Sequence, residues 1–413
     1  MKYQLKCLKT GDYIDDDYTL HYTENALLQA VYNEPFELQN RQGVWKYLSW
    51  LPVSKANEYV AGTVTYKAEA LGDAMGCSDL WVTFHGYWPE KRAMCPTGSF
   101  KDMEAVPTIQ RLKDHNEQGI ICASAGNTAR AFAHFCGLDN TPLLVVVGKD
   151  HAQRLWVPEG HPTDSVHLVV VEDGDYYDAK LVAKGVAKHL DGWQLEGGVH
   201  NVARRDGIGS LIIDAAQTIG RLPDHYFQGI GGGPGPIGVH EMAERLIKEG
   251  LFEGPVPRQH VSQNVEHRPI HNAWKAGRNH LIDDDFPTMD VEVYSDYLMN
   301  KSPAYGLVGG VHDILKASNG QTYVVEEQAA VAAKAMIESI EGIDIMTPGA
   351  VAAASLQQAL DSGEVNPKDC IVLNISGGGV QRLKREVTTV AVEPWLRVSK
   401  ETGVAQILKS LDA

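Results

Sequence analysis

Short apolar runs alternate with segments of helical period from about residue 79 to residue 190. Within each short run the apolar residues are continuous rather than alternating, which is typical of strands that are buried on both faces. Alternation of such strands with helices predicts a parallel sheet that is covered by helices on both sides. The predicted strands here are LWVTF (80–84), IICAS (120–124), PLLVVV (142–147) and SVHLVVV (165–171), and the predicted helices are 125–137 and 177–190.

The same pattern resumes after residue 200, with helices predicted at 207–222 and 347–360 and strands at 225–230 and 370–375. Residues 1–50 mix charged, aromatic and turn-forming residues without a clear period, so we expect an N-terminal appendage there. The stretch 255–325 is not assigned. We therefore expect two α/β units with their junction near 190–200. The predicted domains are 1–50, 51–195 and 196–413.

The composition is ordinary for a globular protein, with 413 residues, 44% hydrophobic and 22% charged. A net charge of −16 argues against a nucleic-acid partner, because binding a phosphate backbone needs a basic face. No apolar stretch approaches the roughly 20 residues that span a bilayer, and the first residues lack the apolar core of a signal peptide. We expect a cytoplasmic protein without a membrane partner. The six cysteines include no C-x-x-C pair, so no metal site is predicted.

The stretch CPTGSFKDMEA (95–105) places Lys101 where a helix is predicted to begin, since Ser99 and Asp102 have the spacing of a capping box. The start of a helix carries partial positive charge, which disfavours an ammonium group and should lower the pKa of its amine. A neutral amine is what a Schiff-base lysine needs. The alternative interpretation is that Lys101 is an ordinary surface lysine. Pro107 is expected to kink this helix or end it early.

Three further segments stand at the ends of predicted strands. The glycine-rich GIGGGPGPIG (229–238) precedes a helix, so its backbone N–H groups predict a phosphate site. SAGNTA (124–129) opens another helix, which Asn127 could also simply cap. NISGGG (374–379) ends the last strand. Because ligands bind at the carboxyl ends of parallel strands, we expect these segments and Lys101 to share one pocket.

In this order, PTGSFKD, SAGNT, the glycine loop and S-G-G-G resemble the pyridoxal-phosphate enzymes of the tryptophan-synthase-β fold, fold type II, among which threonine synthase shares the PTGSFKD spelling. The resemblance implies an α/β enzyme of two doubly wound domains that uses pyridoxal 5'-phosphate and forms a homo-oligomer. Other segments look more like the cysteate synthase family of methanogenic archaea. They are SWLPV (49–53), GYWPEK (86–91), EGGVHNVARRDGIG (196–209), PDHYFQ (223–228), HNAWKAGR (271–278) and EGIDIMTPGAVAAASL (341–356).

The resemblance implies a role for each segment. Lys101 would bind the cofactor covalently and act as the general base. Asn127 would hydrogen-bond the phenolic oxygen of the pyridine ring, and Ser376 would face the ring nitrogen. The cofactor phosphate would be held by the backbone of Gly231, Gly232, Gly233 and Gly235.

The reaction that the resemblance implies is a β-replacement, in which O-phospho-L-serine loses phosphate and sulfite adds to give L-cysteate for coenzyme M biosynthesis. The enzyme would thus be a transferase. Both substrates are anions and the chain is acidic, so local cations are needed. The candidate cations are Arg204, Arg205, Lys91, Arg92 and Lys67.

Other activities stay open. Gly98, Ser99 and Asp102 agree with threonine synthases rather than with cysteate synthases, and Met103 replaces an arginine that threonine synthases usually have there. Threonine synthase acting on O-phosphohomoserine, a serine or threonine dehydratase of the same fold, and a non-catalytic relative are the alternatives. The sequence gives neither the size of the oligomer nor the residues that bind the substrate anions.

Overall fold

The computed structural model describes residues 2–124, 126–288 and 291–411. Within them the chain forms seventeen strands, arranged in four sheets, and twelve α-helices. The strands are β1 (Tyr3–Cys7), β2 (Tyr13–Ile14), β3 (Leu28–Tyr32), β4 (Val64–Lys67), β5 (Leu80–Trp88), β6 (Ala93–Met94), β7 (Gly119–Cys122), β8 (Leu143–Gly148), β9 (Trp156–Pro158), β10 (Val166–Val171), β11 (Trp193–Leu195), β12 (His225–Gly229), β13 (Arg258–Asn264), β14 (Gln321–Val325), β15 (Ile371–Gly378), β16 (Thr389–Ala391) and β17 (Pro394–Val398). The helices are α1 (Glu69–Met75), α2 (Lys101–Asp114), α3 (Asn127–Asp139), α4 (Tyr176–Ala187), α5 (Val202–Ile219), α6 (Pro234–Lys248), α7 (Pro269–Lys275), α8 (Val311–Ala317), α9 (Glu327–Glu341), α10 (Thr347–Asp361), α11 (Val380–Glu386) and α12 (Gly403–Leu411).

Two largely parallel sheets form the body of the molecule. The smaller one has five parallel strands in the order β11-β7-β8-β10-β17. The larger one has the order β14-β13-β12-β15-β5-β4, with β6 paired to β5, and only β4 and β6 run antiparallel to their neighbour. Every residue of β8 and of β15 is buried, as the continuous apolar runs predict. The predicted parallel α/β architecture is therefore confirmed.

The chain passes between the two sheets more often than boundaries at residues 51 and 195 imply. β5 lies in the larger sheet, where Leu80 pairs with Ile371, although it precedes every strand of the smaller sheet in sequence. In the opposite sense, β17 from near the end of the chain pairs with β10 in the smaller sheet. A local hydrophobic period cannot reveal such long-range pairing. The division into domains at these boundaries stays a prediction.

Residues 2–50 contain an antiparallel sheet in the order β2-β1-β3, followed by a 3₁₀ helix at Gly43–Trp50. This sheet buries Leu5 and Leu28 against Val202 at the start of α5. The hydroxyl of Tyr32 donates to Asp206, 2.6 Å away on the same helix. The expected appendage is thus a small sheet that packs on α5.

The stretch 255–325, which the sequence left unassigned, contributes β13 and β14 to the edge of the larger sheet and the short helices α7 and α8 beside them. Its remaining described residues form loops, turns and two short 3₁₀ helices, Asp283–Asp285 and Asp296–Leu298. Loops rich in Asn, His and Pro separate these short elements, and none of the elements exceeds seven residues. Elements of this length give too few repeats for a hydrophobic period to be recognised.

Helix α2 continues through Pro107 to Asp114, so the expected early end is wrong. Proline lacks the N–H that would bond the carbonyl of Met103, four residues earlier. A Cβ placed on Gly207 of α5 would lie 2.1 Å from that carbonyl oxygen and 2.9 Å from Cγ of Pro107. Only glycine allows this approach, and the contact holds α2 tightly against α5. The side chains of Glu104 and Arg204 meet across the same contact.

Candidate active site

Lys101 begins α2 and lies beside the carboxyl end of β15. The N–H of Phe100 donates to the carbonyl of Ser376, 3.0 Å away. Ser99 and Gly377 form an antiparallel bridge between the same two segments. Two of the four predicted segments, the one that carries the lysine and NISGGG, are therefore joined by backbone contacts at the carboxyl end of a parallel strand.

The capping box predicted from Ser99 and Asp102 is wrong. The carboxylate of Asp102 instead accepts hydrogen bonds from the N–H of Thr97, at 2.8 Å, and from the Thr97 hydroxyl, and α2 has no side-chain cap. Burial raises the pKa of Asp102 to about 7, against the opposing effect of the bonds from Thr97. The hydroxyl oxygen of Ser99 is buried and has no hydrogen-bond partner among the described residues. An orphaned donor thus lies two residues before Lys101.

The side chain of Lys101 is 15% exposed, and its amine faces a carboxylate. Nζ lies 2.5 Å from Oε1 of Glu104, one helical turn further on, and 4.5 Å from the ring centroid of Phe100. Burial lowers the pKa of Lys101 to about 8, Glu104 opposes this, and the charge of Arg204 adds to it. The lowering has the predicted direction, but its largest cause is burial rather than the helix terminus.

Glu104 is a residue that the sequence analysis missed. Its side chain has no exposed surface, and its two oxygens face two cations, since Oε2 lies 2.8 Å from Nε of Arg204. Arg204 also pairs with Glu196, whose Oε2 lies 2.6 Å from Nη1 of the arginine. Burial raises the pKa of Glu104, and the charges of Arg204 and Lys101 oppose it. The i, i+3 spacing of Lys101 and Glu104 on one helix is the signal that could have identified this contact.

Asn127 is the first residue of α3 rather than its cap, because the capping position is Gly126 and no side chain caps the helix. Its Oδ1 accepts a hydrogen bond from Nη2 of Arg130 at 2.5 Å. Its Nδ2 lies 3.6 Å from the sulfur of Met346, a weak acceptor. The N–H of Met346 donates to the carbonyl of Gly377 at 2.9 Å. Asn127 thus lies beside NISGGG, and the guanidinium of Arg130 binds its Oδ1 but not its donor group, Nδ2.

Arg130, which holds the amide of Asn127, is a second residue that the sequence did not single out. It is 4% exposed, and its Nε donates to the carbonyl of Thr97 at 3.1 Å. Its guanidinium carbon lies 4.6 Å from the ring centroid of Trp156, and Nζ of Lys384 lies 4.9 Å from the same centroid. In the part of the chain that the structure describes, neither cation has a carboxylate at ion-pair distance. Burial lowers the pKa of Arg130.

The glycine loop follows β12 and leads into α6, which begins at Pro234. Gly233 has a φ of +102°, and a Cβ there would lie 2.6 Å from the side chain of Val311. A Cβ on Gly235 would lie 2.4 Å from Nε2 of Gln228. A side chain at Gly233 would be strained by its positive φ, whereas one at Gly235 would require the side chain of Gln228 to move. Because the first N–H groups of a helix have no acceptor within it, this loop presents backbone donors at the positive end of a helix dipole.

The segment around Tyr297 connects the glycine loop with the SAGNTA loop. A Cβ on Gly231 would lie 3.2 Å from the carbonyl oxygen of Tyr297, and one on Gly126 would lie 3.7 Å from the Tyr297 ring. A Cβ on Gly232 would lie 2.9 Å from Nδ2 of Asn300. Since β12 and β15 are parallel neighbours in the larger sheet, the glycine loop and NISGGG also lie at the same carboxyl end of that sheet. The structure brings all four predicted segments to one site.

The arginine pair that was predicted to bind substrate lies in buried ion pairs. Arg204 is held between Glu104 and Glu196, and Nε of Arg205 lies 2.9 Å from Glu241. Arg204 is 7% exposed and Arg205 is 1% exposed. Glutamates already neutralise both guanidinium groups, so these contacts do not favour binding of a substrate anion. The sequence showed two cations in a row but could not show that their partners come from other helices.

The other predicted cations have surface positions. Lys67 is exposed and lies 3.4 Å from Asp79. The amine of Lys91 lies 4.1 Å from the ring centroid of Tyr66. Arg92 is exposed, with a φ of +59°, at the end of the turn after β5. Binding of substrate by these three residues stays a prediction.

The residues at this site fit pyridoxal phosphate. A largely buried lysine with a lowered pKa, an orphaned hydroxyl on Ser99 and a glycine loop at the start of α6 provide an amine, a donor and backbone N–H groups for a phosphate. Ser376 is 8% exposed and lies on the strand that contacts the segment before Lys101. Its predicted place opposite the ring nitrogen stays a prediction, as does each role assigned to a single residue.

Two negative findings concern the described ranges 2–124, 126–288 and 291–411. Within them, no helix combines the length and apolar character that crossing a membrane requires. The same ranges contain no cluster of three or more His, Cys, Asp or Glu residues that could hold a metal ion. The six cysteines are free and buried.

Comparison with known proteins matches residues 60–377 to the family described as pyridoxal-phosphate dependent enzyme. A protein named cysteate synthase from Methanosarcina acetivorans is 44% identical over 99% of both chains. One of the same name from Methanocella arvoryzae is also 44% identical over 99% of both chains, and one from Methanocorpusculum labreanum is 40% identical over 98% of this chain and 99% of its own.

Two solved structures resemble the fold. Maize serine racemase matches with a TM-score of 0.58 and 18% identity over 85% of this chain and 92% of its own. A pyridoxal 5'-phosphate-dependent aspartate racemase matches with a TM-score of 0.58 and 14% identity over 77% of this chain and 90% of its own. The likeness confirms the predicted fold type II architecture.

Proposed function

The chain belongs to the pyridoxal-phosphate dependent enzyme family, among the relatives that are named cysteate synthase, and we propose that it catalyses a β-replacement on O-phospho-L-serine. Phosphate leaves the β-carbon, sulfite adds there, and L-cysteate is the product. The observation that carries this proposal is the 44% identity to cysteate synthases over nearly the whole length of both chains. The protein is an enzyme that uses pyridoxal phosphate and acts on small substrates.

We assign Lys101 to the cofactor and to proton transfer. When bound, pyridoxal phosphate supplies the electron sink that allows the α-proton of an amino acid to leave. Nζ of Lys101 takes that proton as general base, a task that suits an amine whose pKa is about 8. The amide of Asn127, the N–H groups of Gly231 to Gly235 and the hydroxyl of Ser376 orient the cofactor at its phenolic oxygen, phosphate and ring nitrogen.

We further propose that Arg130 and Lys384 serve the substrate anions in place of Arg204 and Arg205. The support is that these two cations lie against one ring, that of Trp156, and that no carboxylate of the described ranges lies at ion-pair distance from either, although the charge of Asp102 acts on Arg130. Arg130 also touches Asn127, so the pair lies next to the proposed cofactor ring. A guanidinium is a suitable partner for phosphate and for sulfite, because its donors match planar pairs of oxygens.

Threonine synthase is the second candidate, and the observation that favours it is the spelling PTGSFKD around Lys101. The two activities differ in the length of the phosphorylated amino acid and in the nucleophile, which is sulfite in one and water in the other. The proposal also keeps the homo-oligomer, the cytoplasmic location and the supply of L-cysteate to coenzyme M biosynthesis that the sequence analysis expects.

The test is to incubate the holoenzyme with O-phospho-L-serine or O-phospho-L-homoserine, each with and without sulfite, and to measure phosphate and amino-acid products. The proposal expects L-cysteate only from phosphoserine with sulfite. Threonine from phosphohomoserine without sulfite would establish the second candidate. Pyruvate from unphosphorylated serine would establish a dehydratase. Borohydride reduction followed by peptide mapping should place the cofactor on Lys101, and an adduct elsewhere would refute that assignment.

A further inference from the structure

Glu104 is the nearest ionisable neighbour of the proposed cofactor lysine and is fully enclosed. One carboxylate oxygen lies 2.5 Å from Nζ of Lys101, and the other lies 2.8 Å from Nε of Arg204. Glu196, itself 15% exposed, closes the row on the far side of Arg204 at 2.6 Å. Four charges of alternating sign thus extend from the reactive amine to a partly exposed carboxylate.

The contact between Glu104 and Arg204 leaves hydrogen-bonding groups unsatisfied. Oε2 of Glu104 and Nε of Arg204 are both buried, and neither has a hydrogen-bond partner among the described residues, because the 2.8 Å contact between them is not aligned for a hydrogen bond. A buried carboxylate oxygen that accepts no hydrogen bond costs free energy unless it has another use. The lysine contacts the other oxygen, Oε1, at 2.5 Å, so a proton can move between Nζ and Oε1 while Oε2 stays beside the charge of Arg204.

We propose that Glu104 is the proton partner of Lys101 and that Arg204 keeps its carboxylate in place for this task. The inference rests on the proposed function, in which Lys101 carries the cofactor and acts as base. When the free amine has taken the α-proton, one N–H bond of the ammonium breaks and one O–H bond forms on Glu104. The reverse step returns the proton to Nζ and then to the α-carbon, so no net proton is gained or lost.

The charges around the pair fix the direction of the expected effect. Facing the pair are Asp102 on the same helix, Arg204 on α5, Glu196 after β11 and Cys122 on β7, while Tyr176 on α4 faces Arg204 and Glu196. Burial lowers the pKa of the Lys101 amine, Glu104 and Glu196 raise it, and Arg204 lowers it. Removal of the negative charge of Glu104 leaves burial and Arg204 dominant, so the pKa of Lys101 must fall further.

The chain provides a matched control in Glu241. This carboxylate is also buried, on α6, and lies 2.9 Å from Nε of Arg205, the next residue after Arg204. Both pairs join α5 to a neighbouring helix. Glu241 contacts Arg205 and not Lys101, so Glu241→Gln removes a buried ion pair of the same kind without touching the reactive amine.

The experiment measures how fast apo-protein captures added pyridoxal phosphate, followed by absorbance across pH 6 to 10. Capture needs the neutral amine of Lys101, so the wild-type rate should rise with pH through a midpoint near 8. Glu104→Gln should move the midpoint down by about one pH unit or more. Glu196→Gln, at the partly exposed end, should move it in the same direction by less. Glu241→Gln should leave it unchanged, and it also corrects for titration of the cofactor itself.

A common profile for Glu104→Gln, Glu196→Gln and Glu241→Gln would overturn the inference. A shift for Glu241→Gln as large as that for Glu104→Gln would overturn it as well, because any lost buried pair would then act alike. If Glu104→Gln does not give folded protein by thermal melting, the comparison of Glu196→Gln with Glu241→Gln decides. Failure of the wild type to capture the cofactor at Lys101 would refute the proposed function instead, since no substrate is present.

Discussion

Arg204 and Arg205 are neighbours in sequence, and both are buried in ion pairs with glutamates, yet they serve different parts of the molecule. Arg204 faces α2, where Glu104 connects it to the proposed cofactor lysine. Arg205 faces α6, where it pairs with Glu241. Consecutive residues of a helix are about 100° apart, so one turns towards the site and the other away from it.

The surroundings of Arg205 show what its side of α5 does. Nη1 donates to the carbonyl of Val199, at 2.5 Å, and Nη2 donates to the carbonyl of Leu28 in β3. On α6, one turn after Glu241, Arg245 donates to the carbonyl of Ala30 and pairs with Asp206 of α5. These bonds attach the N-terminal sheet to the body of the molecule. We infer that the Arg205 side supports the fold, whereas the Arg204 side sets the charge at the amine.

The largest expected effect is on turnover and comes from replacing Lys101, the reactive amine on the Arg204 side. Lys101→Ala removes both the attachment point of the cofactor and the base, so turnover should fall by about a thousandfold or more. Steady-state kinetics of the reconstituted variant would measure the loss. Lys113→Ala is the control, because Lys113 lies on the same helix in an exposed pair with Asp139. Substantial activity in Lys101→Ala would remove the basis of the comparison.

The next effect compares the two arginines directly. Arg205→Met leaves the buried Glu241 without the cation that it pairs with, so it should lower the free energy of unfolding by about 3–5 kcal/mol in denaturant titrations. Arg204→Met should lower it by less, because Glu104 keeps its contact with Lys101. Only Arg204→Met should change the titration of Lys101. Because Arg204 lowers the pKa of that amine, its removal should raise the pKa, opposite to Glu104→Gln. Equal titration shifts in both variants would show that the two sides are not distinct.

Sequence patterns were sufficient for features that depend on local order. Continuous apolar runs predicted buried parallel strands such as β8 and β15, and the glycines after β12 predicted a loop that leads into a helix. The carboxyl-end rule for parallel sheets placed the four segments at one site. Each of these inferences needs only the residue types within one element and a general rule of sheet geometry.

Features that depend on a partner far along the chain could not be predicted. The pairing of Leu80 with Ile371 is one such feature. The close packing of Pro107, inside α2, against Gly207, a hundred residues later, is another. The sequence NVARRDG likewise made both arginines candidates for binding substrate anions, whereas Glu104 and Glu241 pair with them from other helices. Long-range contacts of this kind leave no local period or spacing to recognise.

A third buried arginine sharpens the comparison, because Arg130 has no carboxylate at ion-pair distance in the described ranges. Arg130→Gln should reduce kcat/KM for O-phospho-L-serine by about 1.5–3 kcal/mol, the value of a hydrogen bond to a charged group. Competitive inhibition by inorganic phosphate should weaken by a similar factor. Arg397→Gln is the control, since Arg397 forms an exposed pair with Glu172. Unchanged phosphate inhibition would show that Arg130 only positions Asn127.

The smallest expected effect lies at Ser376, which touches neither arginine. If its hydroxyl meets the ring nitrogen of the cofactor, Ser376→Ala removes one neutral hydrogen bond and should weaken cofactor binding by about 0.5–1.5 kcal/mol. The midpoint of cofactor capture should stay near pH 8, because the charges around Lys101 are untouched. Ser376→Asp should instead favour a protonated ring and change the absorbance spectrum of the bound cofactor, whereas Ser362→Asp, at the exposed end of α10, should not. A shifted capture midpoint in Ser376→Ala would mean that the ring-nitrogen side and the amine side are coupled. The charges of Glu104, Arg204 and Glu196 would then not be the only groups of the site that set the pKa of Lys101.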